Sequence, residues 1–243
     1  LAESQGDLAK AAELYKRAID EAAPLVEKDE FDYDQFDEML GEYCRLMVER
    51  GMAQQAYDAS PDPESSLYWL LDELTERKQF ELAQALIMRH QQDLPEADPW
   101  WSFELASLHA QAGETDQAEL IYRGLLTEED VASYCSSGLV ELYFQRGQGM
   151  EAYEEFSPRG ETFVQLVRLC QEHGNPDLLE ELIARHAEQA PGAADLLAAR
   201  VVATQLRGER QELLKQLLAY RDRPASLETQ RLYLEQSMLL REL

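Results

Sequence analysis

The fold class predicted by the sequence is all-α, an array of antiparallel helix pairs that follow one another along the 243 residues. Two observations predict it. Glycines recur at regular distances, and a small residue and then a larger one stand at fixed offsets after them. Between these turns no segment alternates apolar and polar residues with period two, so strands are not expected. The chain is therefore expected to be a helical repeat protein.

Seven turn positions define the repeat: Gly6, Gly51, Lys78, Gly113, Gly147, Gly174 and Gly208. Five residues after them come Ala11, Ala56, Ala83, Ala118, Ala152, Leu179 and Leu213. Nine residues after them come Tyr15, Ser60, Ile87, Tyr122, Phe156, Ile183 and Leu217. A small residue lets two helices approach closely, and a larger residue one turn further fills the same face. Each unit is therefore a helix, a tight turn and a second helix.

The units follow in order along the chain, and prolines mark where several helices end. The units lie near residues 1–24, 31–62, 64–97, 99–131, 133–158, 160–192 and 194–224, with a terminal helix at 226–243. The first helix is expected to run from Gly6 to Pro24, and Pro95 and Pro191 are expected to end later second helices. Proline ends a helix because it lacks the N–H and clashes with the preceding turn.

Two of the units are shorter than the others, and they lie 96 residues apart. The segments AYDASPDPESS (56–66) and AYEEFSPRGET (152–162) both interrupt the second helix at a Ser-Pro. The segments IMRHQQDLP (87–95) and IARHAEQAP (183–191) repeat at the same distance. We infer a three-repeat block that occurs twice, at about 51–146 and 147–243. The duplication predicts that His90 and His186 occupy equivalent environments near the ends of second helices.

The order of glycine, alanine, aromatic residue and proline resembles the tetratricopeptide repeat (TPR), a helix–turn–helix unit of 34 residues. The matching residues are Gly6, Ala11, Tyr15, Ala18, Gly113, Ala118 and Tyr122. Later units depart from the pattern, because leucine replaces the small residue and Lys78 replaces a glycine. The resemblance implies a right-handed α-solenoid, a TPR-like superhelix of about seven units plus a terminal helix, forming one domain over 1–243.

The net charge of the chain limits the classes of partner that are expected. The net charge is −26 and the acidic residues are spread along the whole chain, so nucleic acid and anionic lipid are not expected ligands. A neutral to basic protein or peptide is the expected partner. No apolar run approaches the roughly 18 residues that a membrane span needs. The sequence does not decide the cellular compartment, although the cytoplasm is favoured. From the start at Leu1 we expect an excised or processed piece, with the native beginning outside the given sequence.

No motif indicates catalysis, so the chain is not expected to be an enzyme and no cofactor or metal is expected. The three cysteines are far apart and form neither a disulfide framework nor a zinc motif. His90 and His186 are expected to pack between repeats, because each follows an arginine at the same repeat position. His109 and His173 lie near the ends of first helices, where the sequence shows no evident carboxylate partner for either.

The resemblance implies a binding site on the first helix of each pair, because first helices line the concave groove in this family. The aromatic residues at groove positions are Tyr68, Trp100, Phe103, Tyr134 and Phe144, with Ser107, Glu141 and Arg168 beside them. Aromatic anchors with a few polar groups suit capture of a peptide or helix. Alternatively, the rings widen the core or pack onto an adjoining segment of a larger protein.

The expected function is a protein-interaction scaffold with an acidic, aromatic-lined concave groove. One alternative is a recognition or spacer arm excised from a larger enzyme or an envelope assembly protein. Another is a catalytic helical toroid, against which stands the lack of a convergent His/Cys/Asp motif. The terminal helix at 226–243 is amphipathic, and it is expected either to cap the Gly208 unit or to dock onto another chain.

Overall fold

The computed structural model describes residues 8–28, 31–94 and 98–209, together with residues 211, 212 and 215, and over these residues the chain is all-helical, without strands. Twelve helices are defined in this described part: α1 (Leu8–Val26), α2 (Tyr33–Glu49), α3 (Ala53–Asp58), α4 (Pro63–Glu76), α5 (Phe80–Asp93), α6 (Pro99–Gln111), α7 (Thr115–Gly124), α8 (Ala132–Gln145), α9 (Gly149–Glu155), α10 (Arg159–His173), α11 (Pro176–Gln189) and α12 (Ala194–Leu206). The expectation of an all-α fold is confirmed.

The chain divides into two compact units, Leu1–Val131 and Ala132–Leu243. In the first unit each helix packs against its neighbour in sequence. In addition, α2 packs against α4, which follows the short α3. In the second unit α10 packs against α8, α9, α11 and α12. The single array over 1–243 stays a prediction, as does the helix at 226–243, which lies outside the described residues.

Five of the seven predicted turns fall between helices as expected, and Gly208 follows the end of α12, the last helix defined in the described residues. The turn at Gly6 lies outside the described residues. Gly51, Gly113, Gly147, Gly174 and Gly208 have φ between 66° and 82°, and Lys78 has φ of 56°. At Gly51 the amide of Met52 donates to the Met47 carbonyl at 2.8 Å, which closes the end of α2. A left-handed residue is the usual way to satisfy the last carbonyls of a helix, and glycine adopts it without steric cost.

The residues at the repeat offsets form the contacts between paired helices. The small or aliphatic residues five after the turns are all buried as far as the structure describes them: Ala11, Ala56, Ala83, Ala118, Ala152 and Leu179. Ile87, Tyr122 and Ile183, which the repeat predicts to be inward-facing, are also buried. Tyr15 and Ser60 are half-buried, and Leu213 and Leu217 lie outside the described residues. The inward face of the repeat is therefore assigned correctly.

The predicted short second helices are present. α3 has 6 residues and α9 has 7, against 14 in both α5 and α11. The bounds of α5 and α11 differ by 96 residues at both ends. Pro24 was expected to end the first helix, but it lies inside α1, which continues to Val26. A proline in the last turn removes only one backbone donor, and the Glu27 amide still bonds to the Ala23 carbonyl at 3.3 Å.

The 96-residue duplication extends to a buried polar contact. The Tyr57 hydroxyl lies 2.9 Å from His90 Nδ1, and the Tyr153 hydroxyl lies 2.9 Å from His186 Nδ1. Both histidines are buried in the last turn of a second helix, α5 or α11. The prediction of equivalent histidine environments is confirmed for the position in the helix and for the tyrosine partner only, since His186 Nε2 also lies 3.4 Å from Asp195.

The other aromatic rings that contact the two histidines come from different positions of the repeat. His90 meets the edge of Trp101 at a ring-centroid distance of 5.0 Å, whereas His186 stacks on Phe163 at 4.1 Å. The residue equivalent to Phe163 in the first block is Leu67, and the residue equivalent to Trp101 in the second is Leu197. Besides the tyrosine, each histidine therefore contacts one further large ring, which α6 supplies to His90 and α10 supplies to His186.

Candidate protein-binding surface

An aromatic and acidic surface in the first unit is the strongest candidate for partner binding. Its members are Tyr33 on α2, Glu64, Ser65 and Tyr68 on α4, and Glu104 on α6, and we call them the tyrosine surface. Ser65 and Glu104 are half-buried, and the other three are exposed. Tyr68 is 48% exposed, and its ring contacts the buried Trp101 ring at a centroid distance of 4.6 Å. A large aromatic side chain that packs on a buried residue and is partly exposed to solvent is typical of an interface anchor.

Trp101 fixes this anchor because it is buried in a chain of ring contacts. Its indole lies edge-on to His90, and the His90 ring is hydrogen-bonded to the Tyr57 hydroxyl on α3. Burial lowers the pKa of His90, which favours the neutral ring in this setting. Tyr68 therefore stands on a rigid base that links α3, α5 and α6.

The negative charges of three carboxylates act on Tyr68. Burial raises the pKa of Tyr68, and the negative charges of Glu64, Glu104 and Asp98 raise it further. Asp98 accepts from the Trp100 amide at 2.9 Å and so caps α6. Among the described residues, Glu64 and Glu104 have neither a hydrogen bond nor an ion pair, and partial burial raises the pKa of Glu104. The region therefore carries negative charge that the other described residues of the unit do not neutralise.

Tyr33 extends the surface across a second helix. It is 51% exposed, and its hydroxyl lies 3.0 Å from the Ser65 hydroxyl on α4. Ser65 lies one helical turn before Tyr68, on the same face of α4. Two half-exposed tyrosines thus lie on neighbouring helices, with Ser65 between them. Tyrosine supplies a large contact area with little loss of side-chain entropy on binding.

Three other predicted residues of this unit lie on α6 and are less open. Trp100, Phe103 and Ser107 are all half-buried. The rings of Trp100 and Phe103 contact each other at 5.0 Å, and Phe103 contacts the buried Tyr122 at 5.7 Å. Ser107 accepts a hydrogen bond from Gln111 at 3.3 Å. Trp100 and Phe103 are brought together beside α7, whereas Tyr68 contacts the neighbouring Trp101 instead.

The predicted residues of the second unit do not form one cluster in the described contacts. Tyr134 is 52% exposed on α8, and Glu141 is exposed and accepts from Gln145. Arg168 is exposed on α10 and lies 3.6 Å from Glu172. Phe144 is only 9% exposed, contacts the His173 ring at 5.4 Å, and lines a shallow pocket of about 680 Å³ with Leu178.

The reactive side chains of the described residues are held in structural roles. Burial raises the pKa of Cys44 to about 12, of Cys135 to about 11 and of Cys170 to about 12, so all three thiols stay protonated near neutral pH. His109 was expected to lack a carboxylate partner. Its Nδ1 in fact lies 2.6 Å from Glu114 in the next turn, a contact that Gln84 shares.

No protein-family model matches this chain, and no curated protein matches it. The proposals below therefore depend on the geometry of the chain's own residues.

Of the tyrosine surface only Tyr68 was predicted from the sequence, and the buried Trp101 that contacts it was not predicted either. Trp101 was passed over because its neighbour Trp100 falls on the expected groove position. Tyr33 shares its helical spacing with the buried Phe36, so periodicity predicts burial, but it is the first residue of α2 and is half exposed. Glu104 is one of 48 acidic residues, and nothing in the sequence separates it from the others. Only its burial without a partner does so.

Proposed function

We propose that this chain is a protein-interaction scaffold that binds a neutral to basic segment of another protein. The proposal includes a right-handed, TPR-like arrangement of the helix pairs, with partner-binding residues on their first helices. In the first unit the proposed contact residues are those of the tyrosine surface. The observation that carries the proposal is Tyr68, a half-exposed ring that packs on the buried Trp101 and is subject to the negative charges of three carboxylates.

Three physical arguments support this function. Tyrosine and tryptophan are enriched among the residues that dominate binding energy, and here they are held rigidly before a partner arrives. The net charge of −26 attracts a basic segment over long range. Glu64 and Glu104 can gain an ion pair from a partner without losing one within the described part of the chain.

The experiment compares two variants that remove similar exposed apolar area. Tyr68→Ser removes the anchor, and Met88→Ser removes a side chain that is 51% exposed on the second helix α5. Partners are captured from the native source by the immobilised chain and quantified by mass spectrometry. We expect a discrete set of proteins to lose at least tenfold in recovery with Tyr68→Ser and to be retained with Met88→Ser. Equal recovery with both variants would contradict the proposal.

Tyr134, Glu141 and Arg168 remain proposed contact residues of the second unit. Val164, which lies 96 residues after Tyr68, is 54% exposed on α10, so the equivalent position of the second block also presents an apolar side chain. Tyr134→Ser in the same capture experiment tests whether the second unit contributes to the same partner set. Loss of the same proteins supports a contribution, and unchanged recovery removes these residues from the proposal.

A further inference from the structure

The tyrosine surface has the chemistry of a site for one cationic side chain. A cation is attracted to the face of an aromatic ring, and it gains more when a carboxylate lies beside the ring. Tyr68 offers such a ring, since about half of its surface is open and the other side lies against Trp101. Glu64 lies one turn before Tyr68 on α4, and Glu104 lies one turn after Trp101 on α6, the residue whose ring contacts Tyr68. The negative charges of both carboxylates raise the pKa of Tyr68.

Glu104 is the informative member, because its placement is unfavourable in the free chain. It is half-buried, and burial alone raises the pKa of its carboxyl group. Ion pairs in the first unit join other acidic residues, such as Glu42 and Glu49 with Arg45 and Glu73 with Arg77. Among the described residues no cation reaches Glu104. A half-buried carboxylate without a counter-ion costs folding free energy, and a bound cation would offset that cost.

We propose that Tyr68, Glu64 and Glu104 form a site for an arginine side chain of the partner protein. The inference rests on the proposed function and names the residue type that the partner presents. Arginine fits better than lysine, because its planar guanidinium can stack on the Tyr68 ring while its fork of N–H groups donates to carboxylates. Charge complementarity identifies this occupant, since neither Glu64 nor Glu104 is paired with a cation from the described part of the chain.

The test uses a small probe, so it does not depend on knowing the partner. The full chain is labelled with 5-fluorotryptophan, which gives one fluorine signal for each of its three tryptophans, Trp69, Trp100 and Trp101. It is titrated with Nα-acetylargininamide, and separately with the neutral citrulline and the cationic lysine analogues. We expect a saturable shift of the Trp101 signal with arginine, a weaker response with lysine and none with citrulline. Trp69, whose Nε1 donates to Asp37 at 3.0 Å, serves as the internal reference.

Two variants complete the test. Glu104→Gln should weaken arginine binding roughly three- to tenfold, the range expected for loss of one charge beside a cation–π contact. Glu76→Gln removes the same charge from the exposed end of α4, about 18 Å from Glu64, and should leave binding unchanged. Equal responses to arginine and citrulline in the unaltered chain would overturn the arginine site, as would equal responses to arginine and lysine.

Failure of the arginine site is distinguishable from failure of the proposed function. If the probe does not bind but Tyr68→Ser still loses its partners, the surface binds protein without an arginine contact, and only the present inference is wrong. If the probe binds but partner recovery is unchanged by Tyr68→Ser, the proposed function of this surface is wrong.

Discussion

Glu104 places a half-buried carboxylate where no cation from residues 8–28, 31–94 or 98–209 reaches it. Because burial raises its pKa in the folded state, the folded chain binds a proton more readily there than the unfolded chain does. The contribution of Glu104 to the free energy of unfolding is therefore present at low pH and is lost as pH rises through the raised pKa. At neutral pH the ionised carboxylate opposes folding.

Glu104→Gln should accordingly stabilise the chain at pH 7 while weakening the proposed arginine binding. The stabilisation should shrink toward zero below about pH 4.3, the ordinary glutamate value, because the carboxyl is then neutral in both states. Urea unfolding of both proteins at several pH values measures this, with Glu76→Gln as the control. A Glu104→Gln variant that is less stable at pH 7 would mean that the carboxylate makes a favourable contact in the folded chain.

His90 gives a pH dependence of the opposite sign. Burial lowers its pKa in the folded state, so the unfolded chain binds the proton first as pH falls below about 6.5. The stability that His90 contributes is present above that value and is lost as pH falls toward the lowered pKa. Between pH 7.5 and 5.5 the unaltered chain should lose more stability than His90→Gln does. Parallel losses in urea unfolding would show that His90 charges equally in both states.

The duplicated tyrosine–histidine bonds allow a paired measurement. Tyr57→Phe and Tyr153→Phe each leave a buried histidine nitrogen without its partner, at an expected cost of about 1–3 kcal/mol. The Tyr153 hydroxyl also donates to Gln189 Oε1 at 3.1 Å, so Tyr153→Phe should be the more costly change. Calorimetric melting of both variants tests the order. If the melting temperature of either variant is unchanged within error, the hydrogen bond that it lacks does not stabilise the folded chain.

At the scale of the helix pair, the residue nine after the turn is buried at Ile87, Tyr122 and Ile183. Ile87 is fully buried there, while the next residue, Met88, is 51% exposed on the same helix. Ile87→Ala should cost about 2–5 kcal/mol, because it leaves a cavity in a packed interface. Met88→Ala should change stability by no more than about 0.5 kcal/mol. Similar unfolding midpoints for the two variants would mean that the inward face is assigned wrongly.

Helix pairs were predictable because turns and close contacts restrict residue type. A left-handed turn favours glycine and a close helix crossing favours alanine, so Gly113 and Ala118 mark their positions directly. Lys78 was identified only by spacing, yet it adopts the same left-handed backbone. Pro24 was interpreted wrongly because a proline marks a helix end only to within a turn. The tyrosine surface was only partly predictable, because exposure depends on which helix lies opposite, as the adjacent residues Trp100 and Trp101 illustrate.

For the whole molecule, the acidic residues exceed the basic residues by 26 over the full sequence. If the proposed partner segment is basic, its affinity should fall as salt rises, because attraction is screened over about 8–10 Å at physiological ionic strength. Binding of a captured partner, measured by calorimetry between 50 and 500 mM NaCl, tests this. Affinity that is constant across the series would point to an apolar interface and against charge steering.

The central claim is that another protein contacts the chain at Tyr68, and site-specific photo-cross-linking tests it most directly. p-Benzoylphenylalanine is placed at position 68 and, in a separate sample, at position 88, which is equally exposed but lies on a second helix. The account predicts a discrete cross-linked partner from position 68, with an arginine in or next to the cross-linked peptide, and none from position 88. The same products from both positions, or products only from position 88, would contradict it.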